Sequence, residues 1–192
     1  MSSGSKPLIK LNSDMQNQTS FSEMLMSKQL LDVSYFNIND NFFVFDDDQL
    51  AIIDGGVTLF FQDQTLSLCF NQEVELFNYS TQQAPANFGD LDYYEIEKSN
   101  FDFASSVINQ KVVDVETHWT WFQELNEDFE PYGEKKDLLQ GLTLSFENGE
   151  FLRLAVVFYQ LSPMGASGFE YDSKGELLVT TNRELEITVS ED

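Results

Sequence analysis

The sequence predicts an α+β fold that is mainly antiparallel β-sheet, with a few short helices and an arrangement compatible with two related halves. Eighteen Phe and seven Tyr stand against four Pro and ten Gly in 192 residues, and flat aromatic side chains favour the pleated surface of a sheet. Short apolar runs alternate with polar turns through most of the chain. One hairpin-like sequence also occurs twice.

Helices are predicted in two places. Residues 19–31 combine a capping box, Ser20 with Glu23, with apolar residues at helical spacing. Residues 98–110 form a second, shorter candidate with Asn100 as its N-cap. Between the helices, residues 79–90 lose all periodicity and gather Gln, Ala, Pro, Asn and Gly, so we expect an exposed connection or a hinge there.

Strands are predicted wherever a short apolar or aromatic run is bounded by turn residues. Residues 119–129 fit neither the helical nor the strand period and stay open between the two. The predicted strands are Val33–Phe36, Phe42–Phe45, Leu50–Ile53, Val57–Phe61, Leu66–Phe70, Val74–Phe77, Val112–Val115, Leu142–Phe146, Phe151–Tyr159, Phe169–Tyr171, Glu176–Thr180 and Leu185–Val189.

An internal repeat relates the two ends of this pattern. Gly56–Leu66 can be laid on Gly141–Phe151, and both copies read as a strand, a polar turn and a second strand. Leu31–Val33 precedes the first copy at nearly the distance at which Val113–Val115 precedes the second. The alternative is that any two hairpins resemble each other.

The repeat leaves two domain organisations open. In the first, a flexible leader of residues 1–18 precedes two α+β halves, residues 19–97 and 98–192. In the second, residues 19–192 form one merged domain.

Charge restricts the partners that this chain can have. The 33 Asp and Glu against 10 Lys and Arg give a formal net charge of −23, and residues 29–97 hold thirteen acidic residues without one Lys or Arg. Such a surface repels nucleic acid and anionic membranes, and it attracts a basic protein. The alternative is that the acidity serves solubility alone.

The sequence contains few residues that could act as catalytic groups. His118 is the only histidine and Cys69 the only cysteine, and the chain has neither a nucleophile elbow nor a phosphate-binding loop. We expect a structural or partly exposed histidine, and a buried, inert thiol within an apolar run. Asp46-Asp47-Asp48 lacks the spacing of a calcium loop and is expected to be a solvated turn. The sequence therefore predicts a binding protein that is not an enzyme and has no cofactor or metal.

Aromatic residues among acids mark the predicted partner-binding site, because aromatic area supplies affinity and charge steers the encounter. Trp119 and Trp121 are a second aromatic pair, which we expect to fill a core. In the pair Tyr93-Tyr94, strand geometry exposes one ring. The predicted partner-binding residues are Asp46, Asp47, Asp48, Asp90, Asp92, Tyr93, Tyr94, Glu95 and Glu97.

The location of the protein is predicted from what the sequence lacks. Its longest apolar stretch, Leu154–Tyr159, is too short to cross a bilayer, and the first thirty residues contain no uninterrupted apolar signal. We therefore expect a cytoplasmic protein.

The second half of the chain resembles the small acidic immunity proteins of bacterial polymorphic toxin systems. The residues that carry this resemblance are Val112–Val115, Trp119, Gly141–Gly149 with the strand that follows, and Gly175–Val179. The resemblance implies a cytoplasmic antidote that binds one cognate toxin, often a basic nuclease, and blocks its active site. Such families have no catalytic residues to carry over.

Two further classes of function stay open at this point. A nucleic-acid mimic, such as a phage-encoded anti-defence protein, would use its carboxylates in place of phosphates to inhibit a DNA-binding protein. An enzyme or a carbohydrate-binding module has only scattered aromatics and carboxylates in its favour.

Overall fold

Thirteen strands in two antiparallel sheets form most of the structure, a computed structural model that describes residues 8–11, 21–39, 42–45, 49–126, 128, 130–162 and 165–189. The strands are β1 Leu8–Leu11, β2 Leu30–Asn37, β3 Phe43–Phe45, β4 Leu50–Ile53, β5 Gly56–Phe61, β6 Thr65–Asn71, β7 Leu76–Ser80, β8 Tyr94–Ile96, β9 Val112–Leu125, β10 Pro131–Phe146, β11 Phe151–Ser162, β12 Gly165–Tyr171 and β13 Glu176–Thr180. The predicted antiparallel β-rich class is confirmed.

The two sheets share an order of four strands, β2-β5-β6-β7 in sheet I and β9-β10-β11-β13 in sheet II. Sheet I has the order β7-β6-β5-β2-β8, and sheet II has the order β1-β9-β10-β11-β13, continued by β4 and β3, with β12 paired to β11. The hairpin β3–β4 comes from the first half of the chain yet pairs with β13 in the second. Strands from both halves therefore build sheet II.

One apolar core lies between the inner faces of the sheets. Side chains that alternate along each strand supply it, as expected when one face of a sheet is buried. Core members include Val33, Tyr35, Val57 and Leu59 from sheet I, and Val115, Leu142, Leu144 and Leu154 from sheet II. Burial of each large apolar side chain in this core stabilises the fold by about 1.5–3 kcal/mol.

The two predicted hairpins form, and they pair with their preceding strands in the same register. In sheet I the pairs are Asp32 with Phe60, Val33 with Leu59, Ser34 with Thr58, Tyr35 with Val57 and Phe36 with Gly56. In sheet II the pairs are Asp114 with Ser145, Val115 with Leu144, Glu116 with Thr143, Thr117 with Leu142 and His118 with Gly141. Each pair of sheet I corresponds, through the repeat, to one pair of sheet II.

Each copy also contains a register shift at the same place. The shift in sheet I lies between Leu30 and Asp32, and the shift in sheet II lies beside Val113. Leu31 and Val113, the residues within the shifts, are both exposed large apolar residues. A bulge leaves its extra residue out of the ladder, which accounts for this exposure.

The helices are shorter than predicted. Residues 21–25 are α-helical, but a turn follows and β2 begins at Leu30. Ser27 has a φ of 65° and ends the helix in the left-handed region. The expected apolar residue Leu31 is therefore in a strand and exposed. The second candidate is a 3-10 helix, Lys98–Val107, that is interrupted at Phe101.

Several strand predictions need correction. Leu185–Val189 forms no strand: only Thr188 makes a bridge, with Glu170. The strand expected at Val74–Phe77 begins at Leu76, because a turn occupies the preceding residues. Residues 119–125, which were ambiguous, belong to β9. Residues 8–11, within the expected leader, form the edge strand β1 on β9.

Candidate functional site

The predicted connection of residues 79–90 is a cover over the outer face of sheet I. Ser67 Oγ donates to the Gln82 carbonyl oxygen at 2.7 Å, and the Ala84 N–H donates to Thr58 Oγ1 at 2.9 Å. Ala84 and Phe88 are each 0% exposed. The expected connection is exposed over most of its length, but its apolar residues Ala84 and Phe88 pack on the sheet.

Acidic residues lie in the part of the chain that directly follows this cover, residues 90–97. Asp90, Asp92, Glu95 and Glu97 are exposed, and Tyr93 among them is 50% exposed. We call these five residues the acidic face. The Tyr93 ring packs edge-on against Phe88, with 5.5 Å between ring centroids, so the phenol projects from a fixed base.

Tyr94 lies on the other side of the strand from Tyr93. Its ring is half-buried against the core, and its Oη accepts a hydrogen bond from Asn37 Nδ2 at 3.1 Å. The prediction that one of the two tyrosines is exposed therefore holds for Tyr93. Asp46, Asp47 and Asp48 lie outside the described residues.

Beside the acidic face is a pocket of about 480 Å³, which we call the acidic pocket. The Asp90 N–H donates to Gln72 Oε1 at 3.0 Å, which holds the acidic face against the pocket wall. Among the described residues that line the pocket there is no Lys or Arg. Its lining includes the apolar side chains Phe70, Phe77 and Leu91 and the carboxylates of Asp54, Glu75 and Glu176.

The three carboxylates of the acidic pocket have different surroundings. Asp54 accepts the backbone N–H groups of Ile38, at 2.9 Å, and Asn39, at 3.1 Å. Glu176 accepts the Tyr159 hydroxyl at 2.7 Å; burial and this carboxylate raise the pKa of Tyr159. Glu75 is exposed on the turn before β7. Glu75 is thus the carboxylate with most freedom to meet a partner.

Cys69 and the pair Trp119 and Trp121 lie in the interior of the protein. Cys69 is 1% exposed, and burial raises the pKa of its thiol to about 12, as expected for an inert cysteine. Trp119 and Trp121 are 5% and 6% exposed, so the core interpretation of this pair is confirmed.

Comparisons with family models, curated proteins and solved structures found no match for this chain. Within the described ranges, no group of three or more His, Cys, Asp or Glu is placed to hold a metal ion. No helix in the described part of the chain is long and apolar enough to cross a membrane.

Sequence reasoning missed the acidic pocket. Asp54, Glu75 and Glu176 lie in three separate parts of the chain, and pairing between β4 and β13 is what brings the last of them near the others. The local signal available in the sequence was the absence of Lys and Arg around the first two.

Proposed function

We propose that this protein is a cytoplasmic binding protein, not an enzyme, that neutralises a cognate basic bacterial toxin by direct contact. The acidic face and the acidic pocket form the proposed binding surface. The resemblance of the second half to immunity proteins of polymorphic toxin systems supports the same proposal.

The chemistry of the acidic pocket is the observation that carries it. Lys and Arg side chains combine an apolar stem with a cationic head. The pocket combines apolar walls with three carboxylates, and no described lining residue supplies a cation. A Lys or Arg of the partner would place its stem against Phe70 and Phe77 and its head near Glu75.

The acidic face adds long-range attraction. Residues 29–97 contain no Lys or Arg, but two of their acids form ion pairs with the lysines that flank this segment. Asp32 pairs with Lys98, and Asp63 pairs with Lys28. Asp90, Asp92, Glu95 and Glu97 have no ion pair among the described residues. Uncompensated charge of one sign raises the rate of encounter with a basic protein, and Tyr93 offers the aromatic anchor typical of an interface.

A growth assay tests the proposal. The gene adjacent to this one is induced in a bacterial host, alone and together with this chain. We expect the neighbour to stop growth alone and this chain to restore it, through a complex that weakens as salt rises. A harmless neighbour, or no protection, would contradict the proposal. Capture of many unrelated DNA-binding proteins, reversed by added DNA, would instead identify a nucleic-acid mimic.

We also propose that the two halves are related by duplication within one merged domain. Five corresponding residue pairs with equal register, together with corresponding bulges at Leu31 and Val113, support this. Two unrelated hairpins share an alternating pattern but have no reason to share a bulge. The spatial order of four strands, β2-β5-β6-β7 in sheet I and β9-β10-β11-β13 in sheet II, adds further support.

A further inference from the structure

The outer faces of the two sheets differ at corresponding positions. In sheet I the chain itself fills this face, because the segment after β7 lies on it. The Ala84 N–H donates to Thr58 Oγ1, and Ser67 Oγ donates to the Gln82 carbonyl oxygen. Ala84 and Phe88 of this segment are both fully buried against the sheet.

In sheet II the corresponding positions of the outer face line a pocket. It has a volume of about 260 Å³, and we call it the paired-charge pocket. Thr143 corresponds to Thr58, and Arg153, which lies opposite Thr143, corresponds to Ser67. The pocket lining includes Glu116, His118, Gly141, Thr143, Arg153 and Tyr171.

Arg153 spans this pocket from the sheet to the segment that follows β13. Its Nη1 donates to the Leu185 carbonyl oxygen at 2.9 Å. Ser67 makes the corresponding contact, to the Gln82 carbonyl oxygen in the segment after β7, with a much shorter side chain. Thr143 on the sheet and Ile187 in the segment after β13 both line the pocket.

Arg153 reaches this pocket without an acidic partner. The chain holds 33 acidic residues, yet no described carboxylate lies within ion-pair distance of its guanidinium. The described groups that accept hydrogen bonds from Arg153 are neutral. Arg153 Nε donates to Thr143 Oγ1 at 3.3 Å, and Nη1 donates to the Leu185 carbonyl oxygen. Nη2 is left to donate to an anion, for which a planar guanidinium is well suited.

Glu116 supplies the opposite charge. Glu116, Thr143 and Arg153 form one row across three neighbouring strands. Two strand spacings, roughly 10 Å, separate the Cα atoms at the ends of this row. The two charged groups make no ion pair with each other, so both remain available to a small molecule in the pocket.

We propose that the paired-charge pocket binds a free α-amino acid. Its carboxylate would accept from Arg153, and its ammonium group would donate to Glu116 and Thr143, as the Ala84 N–H does to Thr58 in the other half. The volume of about 260 Å³ lies below the 300–1,000 Å³ typical of drug-sized ligands. His118, stacked on Tyr171 with 3.9 Å between ring centroids, forms a wall, and its buried Nε2 has no described partner.

The single histidine makes this proposal testable without resonance assignment. Proton NMR spectra of the full chain are recorded while glycine, L-alanine or L-serine is added, and the His118 ring signals are followed. We expect a saturable shift with at least one of them. Acetate and methylammonium, each with half of the charge pair, should bind at least about tenfold more weakly, since a charged hydrogen bond contributes about 1.5–3 kcal/mol.

Matched variants assign the two charges. Glu116→Gln should weaken binding of the amino acid about tenfold or more. Asp114→Asn removes an equally exposed carboxylate two residues away on the same strand, outside the pocket, and should leave binding unchanged. Arg153→Lys keeps the charge and should still weaken carboxylate binding, because it loses the planar donors.

Three results would overturn the proposal. The first is a histidine signal that does not move with any of the three amino acids. The second is acetate binding as tightly as they do, and the third is equal binding by the Glu116→Gln and Asp114→Asn variants. None of these results bears on the toxin-binding proposal, which rests on the acidic face and the acidic pocket and has its own growth assay.

Discussion

Gln29 and Lys111 pair across an antiparallel bridge, each immediately before a strand, β2 and β9 respectively. Lys111 follows Gln29 by the same 82 positions that separate Val113 from Leu31. The flanking hydrogen bonds repeat this relation: the Leu30 N–H donates to Gln110 at 3.0 Å, and the Val112 N–H donates to Lys28 at 2.9 Å. Corresponding residues thus bond reciprocally, as they would about a local two-fold axis.

This reciprocity agrees with the proposed duplication and gives matched positions for mutation. Gly56 and Gly141 correspond, but their neighbours differ. A Cβ on Gly56 would lie 2.4 Å from Cys69 Cβ, whereas one on Gly141 would lie 2.9 Å from the Tyr171 ring. Cys69 is fixed in a strand, while the tyrosine can rotate away.

We therefore predict that Gly56→Ala destabilises the protein by about 3 kcal/mol and Gly141→Ala by about 1 kcal/mol. Urea denaturation of both variants measures the difference. Ser145→Ala, on the same strand as Gly141, serves as a control for a small change near the hairpin. Equal costs for the two glycine variants would contradict the explanation from neighbours.

Phe21 anchors the short helix of residues 21–25. Its ring meets Trp119 and Tyr79 edge-on, at centroid distances of 5.2 and 5.0 Å. Phe21→Ala should cost about 3–5 kcal/mol in unfolding free energy and should change the tryptophan fluorescence. Met26→Ala, at an exposed position after the helix, should cost much less. A loss below about 1 kcal/mol for Phe21→Ala would show that the helix does not depend on this ring.

His118 should titrate below its ordinary range. Burial lowers its pKa from 6.5, because the charged ring loses solvation. The unfolded chain then takes up a proton at higher pH than the folded protein, so stability is lost as pH falls below 6.5. NMR titration of the ring signals measures the midpoint directly.

A second variant isolates this contribution. His118→Phe introduces the residue that the other half has at Phe36 and removes the titrating group. Its free energy of unfolding should fall less between pH 7 and pH 5 than that of the parent protein. A native midpoint at or above 6.5 would be inconsistent with the burial seen here.

The acidic face should control the rate of partner binding. Once the growth assay has identified the toxin, neutralising the four carboxylates of this face should slow association about tenfold or more at low salt. A control variant removes the same charge from four exposed acids elsewhere. The first set is Asp90→Asn, Asp92→Asn, Glu95→Gln and Glu97→Gln, and the control set is Asp114→Asn, Glu147→Gln, Glu184→Gln and Glu186→Gln. Equal slowing by both sets would mean that net charge acts, and not this face.

The parts of the fold that arise from local sequence could be predicted. Alternating apolar and polar residues predicted most of the strands, and the apolar run around Cys69 predicted that its thiol is buried. The first part of β10 escaped prediction because residues 131–137 are exposed and highly charged. These residues form a strand because they pair with β9. The composition of a segment does not reveal which strand will pair with it, so this part of β10 could not be predicted.

The same limit applies to the sites. Asp90 to Glu97 are neighbours in sequence and could be recognised together. The acidic pocket and the paired-charge pocket draw their residues from distant strands, so only pairing reveals them. Leu185–Val189 failed for a related reason: its alternating residues pack over sheet II as a cover without joining a ladder.

The hairpin β3–β4 has a consequence for how this chain is made. β4 is synthesised long before its neighbour β13, and Thr180 Oγ1 donates to the Gln49 carbonyl oxygen, 131 positions earlier in the chain. Contacts this distant in sequence form slowly. Until β13 has been synthesised, the apolar strand Leu50–Ile53 can pair only with β3, and its other edge stays open.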